Sequence, residues 1–407
     1  VTEVVEAVHS AAVDLWVSVG SAYETELNNG VSHCIEHMLF KGTTSRSAER
    51  IAEEIEDAGG NIGASTARDF TKVYTRVLGE ALPTALDIMT DMVANPTFDR
   101  ADLKLEKQVI LEEMEMYEDD AADLAQEIAY ANHWRGYAHS YPITGTSESV
   151  KGLNETMLRE HFDRYYRPER MVISVAGKFD EDEVITFLSE RLGALKPGSE
   201  KKIPSSPECR RFNVLKNKDV EQAQMILVSE GMVEQDSRII LTDALELCLA
   251  SSASSRLFKE IRERRGLVYD VGSGHHAYST CGMMTVYASM NPANTDTVLK
   301  LILEELARVK AEGFTEAEIN RAKKQLRADI FMGLDSMTAR SSNNASDIHL
   351  WDKIVPLSEW EQKIADVNNK DMTALANELF NDDRLSLVVV GPAAELQEKY
   401  SLTVGKN

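Results

Sequence analysis

The two halves of this 407-residue chain carry the same blocks in the same order. Val17-Ser18-Val19-Gly20 recurs as Val228-Ser229-Glu230-Gly231, 211 residues on. Phe98 through Leu103 recurs as Phe314 through Ile319 at 216, and Arg170 through Gly177 as Arg384 through Gly391 at 214. An offset this steady over three separated blocks implies a duplicated domain. Length agrees, because a single core seldom grows beyond ~250–300 residues. The stretch 196–212, with Pro197, Gly198, Pro204 and Pro207, is the linker by composition, which puts the two copies at 1–195 and 213–407.

Within the first copy, Ala12 to Val19 alternates apolar residues with Asp14 and Ser18 and reads as a strand. Asn61 to Val77 and Arg170 to Gly177 also read as strands. Between the first two lies the loop Gly20 to Gly30, whose Asn28 and Asn29 are candidate helix caps. Ser47 to Ala58 is an amphipathic helix closed by Gly59-Gly60, and further helices run over 81–94 and 102–132.

The chemistry is concentrated in His33-Cys34-Ile35-Glu36-His37. Two histidines four apart stack on one helix face, where a single divalent metal can take both imidazoles. Glu36 shares that face and can reach a water on the metal. The order His-x-x-Glu-His is the reverse of the commoner zinc-protease motif. Cys34 points roughly 100° away from the histidines. Because catalytic zinc usually takes three protein ligands and keeps one position open, a third ligand must come from elsewhere. Downstream, Glu106 and Glu113 are seven apart on a long helix and project from one side of it.

Composition narrows the function classes. Hydrophobic content of 43% with 27% charged residues describes a soluble globular protein. No apolar run approaches the ~18 residues of a membrane span, so no membrane partner is expected. Four cysteines without CxxC spacing argue against a disulfide framework and for a reducing compartment, most simply a cytoplasm. A net charge of −23 argues against nucleic acid and suits a cationic peptide. The chain opens at Val1, with Val4-Val5 already reading as strand, so its true N-terminus is expected upstream, with room for a removed targeting segment.

The segment Gly30 through Thr43 resembles the signature of the inverted-motif zinc peptidases, the family of pitrilysin, insulin-degrading enzyme and mitochondrial processing peptidase. The chain is most similar to their small bacterial, processing-peptidase-like members, and the resemblance covers essentially its whole length. It implies an α+β fold of two homologous domains, each an antiparallel sheet with helices on one face, together forming half of a clamshell chamber. One Zn2+ per chain is implied, held by His33, His37 and Glu113, the last 76 residues past His37. Glu106 would support the site, with Glu36 as the general base. Gly63-Ala64-Ser65-Thr66 falls where the family has Asn-Ala-Phe-Thr, on an edge strand that binds extended substrate. Gly63 departs from the family's Asn.

In the second copy, Ser254-Ser255-Arg256-Leu257-Phe258 leads into Arg262 and Tyr269, which in this family grip the substrate backbone and the scissile carbonyl. The serines at 251–255 read as a helix-capping loop, and His139 as a loop or buried histidine. His275 and His276, adjacent on a strand, face opposite ways and make a poor metal pair. Carried over by the repeat offsets, Ala244 stands opposite His33, Leu247 opposite Glu36 and Cys248 opposite His37. Ala322 stands opposite Glu106 and Asp329 opposite Glu113, so the second copy keeps the scaffold and loses the metal set.

The expectation is a zinc endopeptidase acting on unfolded peptides or presequence-like segments. A homodimer would set Arg262 and Tyr269 of each chain opposite the zinc of the other. The competing expectation is a catalytically silent chamber or scaffold subunit. A third, a metal hydrolase of non-peptide amides, would need a compact pocket in place of an edge strand.

Overall fold

The computed structural model describes residues 1–198, 203–392, 400 and 402–404. The duplication is written into its strand order. The first sheet contains β1 (Thr2–Val4), β2 (Ser10–Val17), β3 (Asn61–Thr66), β4 (Thr71–Leu78) and β5 (Met171–Gly177) in the order β1-β5-β2-β4-β3. The second contains β6 (Asn213–Asn217), β7 (Ala223–Glu230), β8 (Val268–Ala277), β9 (Gly282–Met290) and β10 (Ser386–Gly391) in the order β6-β10-β7-β9-β8. The two orders match strand for strand. The resemblance implied an antiparallel sheet in each domain; both sheets are antiparallel except at one edge, where β1 runs parallel to β5 and β6 parallel to β10. Parallel neighbours need a long connection, and here nearly the whole copy separates the strand that opens it from the strand that closes it.

Side-chain alternation sets the layers. In β4, Thr71, Val73, Thr75 and Val77 are buried, while Lys72, Tyr74, Arg76 and Leu78 face the other way. Central β2 puts Ala11, Val13, Leu15 and Val17 into the same core as Ile35, Met38 and Leu39. Its opposite face is not left bare. The helix Met337–Trp351 lies across it, with Ser341 Oγ donating to the Ser174 carbonyl at 3.0 Å and the His349 ring 5.7 Å from Trp16. On the second sheet the corresponding face, with Ile226, Val228, Val388 and Val390, packs against Ala125, Ala129 and Tyr130 of the helix Ala121–His133.

These two covering helices are themselves repeat mates, starting 216 residues apart. Each copy therefore lends the same helix to the other copy's sheet. One compact unit comprises Val1–Met114, Tyr141–Pro204 and Phe331–Ile354; the other comprises Glu115–Ser140, Ser205–Ile330 and Val355–Asn407. The compact units differ from the sequence division at 1–195 and 213–407 by this reciprocal exchange, and helices cover both faces of each sheet where one was expected. An amphipathic pattern says that a helix buries a face but not which sheet receives it.

Two local readings also change. The stretch Asn61 to Val77 is a hairpin, β3 turning into β4 where the Ala67 N–H donates to the Phe70 carbonyl at 2.8 Å. The helical run over 102–132 is broken at Asp120, whose carboxylate accepts from Ala122 N and Asp123 N and so starts a new helix. Positions 199–202 of the expected linker lie outside the described residues. None of the four cysteines is in a disulfide, and no helix among the described residues is long and apolar enough to cross a membrane.

Candidate metal centre

The helix Val31–Leu39 carries the motif and is fixed at both its start and its apolar face. Gly30 adopts φ 88°, a left-handed conformation that glycine takes without steric cost. The asparagines do not cap this helix. Instead the buried Glu24 carboxylate accepts from Gly30 N at 2.7 Å, Ser32 N at 2.8 Å and Asn29 Nδ2 at 2.9 Å. A negative group there satisfies orphan donors and opposes the helix dipole. Burial nevertheless pushes this carboxyl up to about 7. Val31, Cys34, Ile35, Met38 and Leu39 are fully buried in the core, so Cys34 is a packing residue. That orientation turns His33 and His37 toward the long helix Arg100–Asp119 and Glu36 toward the end of β3.

On that helix, Glu113 places Oε2 3.7 Å from His33 Nε2 and 3.6 Å from His37 Nε2. The three ligand atoms lie within 4.8 Å of one another, and no other such trio of histidine, cysteine or carboxylate side chains converges among the described residues. Tetrahedral bonds of ~2.0–2.1 Å would put ligand atoms about 3.3–3.4 Å apart, so this donor set fits zinc. Burial, reinforced by the charge of His37, pulls the His33 imidazole down to about 3, leaving it neutral with a free lone pair.

Behind the trio, Glu106 Oε2 lies 3.0 Å from His37 Nδ1 and Oε1 lies 2.7 Å from Lys41 Nζ. Burial opposes ionisation of Glu106, but Lys41 and His37 hold its carboxyl below the usual range. The contact holds the His37 ring with Nε2 toward Glu113, the arrangement that a carboxylate behind a metal-binding histidine provides. Lys41 is a residue that sequence reasoning missed. It follows His37 by four, so helical spacing placed it nearby, but nothing in the sequence named its partner.

Glu36 faces strand β3. Its Oε2 accepts from Thr66 Oγ1 at 2.6 Å, and the Thr66 N–H also donates to this carboxylate. Burial pushes the Glu36 carboxyl up, against the pull of Thr66 and His37. β3 is the edge of its sheet, paired with β4 alone. Along an antiparallel strand, main-chain groups point alternately toward and away from the partner. Ala67 donates to Phe70 across the turn, so Ser65, Gly63 and Asn61 pair toward β4 while Thr66, Ala64 and Ile62 point outward. Of the stretch Gly63-Ala64-Ser65-Thr66, only Ala64 thus offers an outward main chain that Glu36 has not already engaged.

Gly63 is crowded by a side chain of the neighbouring strand. A Cβ there would sit 2.7 Å from the Tyr74 hydroxyl, because the phenol lies over the edge strand.

Arg262 and Tyr269 belong to the second compact unit, and both stand on irregular backbone. Arg262 lies in a π-helix, Phe258–Glu263, continued by an Arg264 N–H to Lys259 carbonyl bond. Its guanidinium sits 4.7 Å over the Phe258 ring and 3.8 Å from Asp270. Tyr269 is the extra residue of a β-bulge, since Val268 faces Met290 and Asp270 faces Ser289. The bulge turns its ring outward, 70% exposed. Neighbouring histidines are structural. His275 Nε2 accepts from Met232 N at 2.9 Å, and buried His139 lies 3.2 Å from Thr280 Oγ1. Ser252 Oγ donates to the Leu247 carbonyl, closing the helix Ile239–Leu249.

That helix corrects the carried-over positions by one residue. Glu246, not Leu247, meets the edge strand, with the His275 N–H of β8 donating to its carboxylate. Burial along the two helices lines up Glu246 with Glu36, Asp243 with His33 and Leu247 with His37, one residue off the 211 offset of the strands. The conclusion that the second copy lacks the metal trio is unchanged.

Comparison with known proteins agrees with this division. Residues 1–147 match the model of the insulinase family (peptidase family M16), and residues 152–326 match the peptidase M16 inactive domain. A Bacillus subtilis (strain 168) protein named "Uncharacterized zinc protease YmxG" is 35% identical over 393 residues, covering 96% of this chain and 95% of the relative. A peptidase M16 inactive domain from Pseudomonas fluorescens superposes with TM-score 0.89 at 20% identity, covering 98% of this chain and 96% of that one. A protease from Helicobacter pylori superposes equally well, with TM-score 0.89 at 20% identity and 96% of each chain covered. The chain belongs to the insulinase family, peptidase family M16.

Proposed function

We propose that the protein is a zinc endopeptidase that binds one zinc per chain and cleaves unfolded peptides or presequence-like segments. The observation that carries this reading is the convergence of His33, His37 and Glu113 beside Glu36, with Glu36 docked on a sheet edge. Zinc held there would supply Lewis-acid chemistry, polarising a scissile carbonyl and letting a water lose its proton near neutral pH. Glu36 takes that proton and returns it to the leaving amine, acting as base and then acid. An extended peptide pairs with the outward groups of β3 by strand addition. Tyr269 donates to the developing oxyanion, and Arg262 holds the substrate main chain. Acidic surplus favours basic substrates.

Four cysteines without a disulfide support a reducing compartment, the cytoplasm of a bacterial cell. The two functional sets meet in a homodimer, each chain supplying Arg262 and Tyr269 to its partner. The second reading, a silent scaffold subunit, draws on the match of residues 152–326 to an inactive domain. Zinc stoichiometry and cleavage of an unstructured peptide separate them. One zinc per chain with turnover supports the peptidase, whereas a protein that neither binds zinc nor cuts is the scaffold.

A further inference from the structure

The outward main-chain groups of β3 end at Thr66. Ile62 and Ala64 present theirs away from β4, as Thr66 does, but the Thr66 N–H and hydroxyl both go to Glu36. The carboxylate thus occupies the place at which the next peptide group of an added strand would pair. Same-facing residues of a strand recur every ~6.8 Å. A peptide paired with Ile62 and Ala64 therefore brings its next peptide group, one ladder step on, up to Glu36.

We propose that Thr66 is a positioning residue for catalysis: it docks Glu36 onto the end of the substrate-pairing edge and so selects which peptide bond of the bound strand is cut. The inference rests on the peptidase reading above. A glutamate side chain has several rotamers to lose. Two donors from one residue hold this one, and hydrogen bonds to a charged acceptor are the stronger kind. The second copy provides an internal contrast. Glu246 takes a main-chain N–H of β8 from His275, which faces Met284 and so matches Ala64 opposite Val73. The match of Thr66 is Ala277, which faces Gly282 and has no hydroxyl to offer. Docking of the glutamate at the Thr66 position, by N–H and hydroxyl together, thus belongs to the copy that carries the metal trio.

The test compares Thr66→Val, which keeps shape and removes the donor, with Thr66→Ser, which keeps the donor. Both are made in the full chain, loaded with zinc, and kcat and KM are measured separately on one unstructured peptide. Thr66→Val is expected to lower kcat about tenfold or more, the worth of one hydrogen bond to a charged group, with KM within about twofold. Zinc content should match wild type, and Thr66→Ser should recover most of the loss. Wild-type kcat in the Val variant, a change in KM alone, or equal damage from Ser would overturn the inference. Thr66→Cys, a poor donor of similar size, gives the same comparison if the Val variant does not fold. A wild-type protein that binds zinc but cuts no peptide would instead overturn the peptidase reading, and this inference with it.

Discussion

His37 is held through its Nδ1 by Glu106 at 3.0 Å, and the far oxygen of that carboxylate meets Lys41 at 2.7 Å. The histidine ring is thereby oriented before any metal arrives. Glu106→Gln should bind zinc about 10–100-fold more weakly, the usual consequence of losing such a partner. Lys41→Met should cost less, because it acts one contact further out. Competition against a chelator of known affinity measures both. Unchanged affinity in Glu106→Gln would mean that the contact does not prepare the site.

Glu36 touches Thr66 but is not one of the converging ligand atoms. Glu36→Gln should therefore keep its zinc while peptide cleavage falls by about 10²–10⁴, the range for a lost general base. His33→Ala and Glu113→Ala should lose the metal. Metal analysis beside the activity assay gives the answer. Loss of zinc from Glu36→Gln would make Glu36 a ligand, and full zinc in Glu113→Ala would point to Glu112 in its place.

Burial pushes the Glu246 carboxyl up to about 8, helped by neighbouring Asp243, which burial pushes up to about 6; the His275 N–H pulls Glu246 the other way. Both folded-state values lie above the ordinary ~3.9–4.3. Such groups favour the folded state below about pH 4, and that contribution is lost as pH rises through 6 and 8. Glu246→Gln removes the charge without changing shape. Its thermal midpoint should exceed wild type by a few degrees at pH 9, with the gain shrinking toward zero by about pH 4. Equal midpoints at pH 9 would show that Glu246 ionises there without cost.

Much of this was legible in the chain itself, for identifiable reasons. The His33–Glu36–His37 spacing is set by helix geometry, which a sequence states directly. The repeat offsets predicted two like domains, and the strand orders match one for one. What escaped depended on partners distant in sequence. The exchange of the helices Ala121–His133 and Met337–Trp351 was hidden because each has an apolar face that either sheet could cover. A one-residue shift between the copies misplaced Glu246, since a uniform offset cannot register a helix that starts earlier in its turn. The crowding at Gly63 comes from Tyr74, eleven residues on, a contact that no local pattern states.

The most demanding prediction concerns Tyr269. Its ring stands 70% exposed on a bulge, and Arg262 lies on a π-helix 3.8 Å from Asp270, the residue after Tyr269. The metal trio lies in the other compact unit. If two chains each complete the other's site, then Glu36→Gln and Tyr269→Phe, each inactive alone, should restore activity when mixed under conditions that exchange subunits. One of the two sites in the mixed dimer would combine wild-type Glu36 with wild-type Tyr269, so a random mixture should recover about a quarter of wild-type activity, half the dimers carrying one good site in two. Subunit exchange is verified separately by native mass spectrometry of a mass-tagged variant. Demonstrated exchange without recovered activity would place Tyr269 in its own chain's site or outside the chemistry.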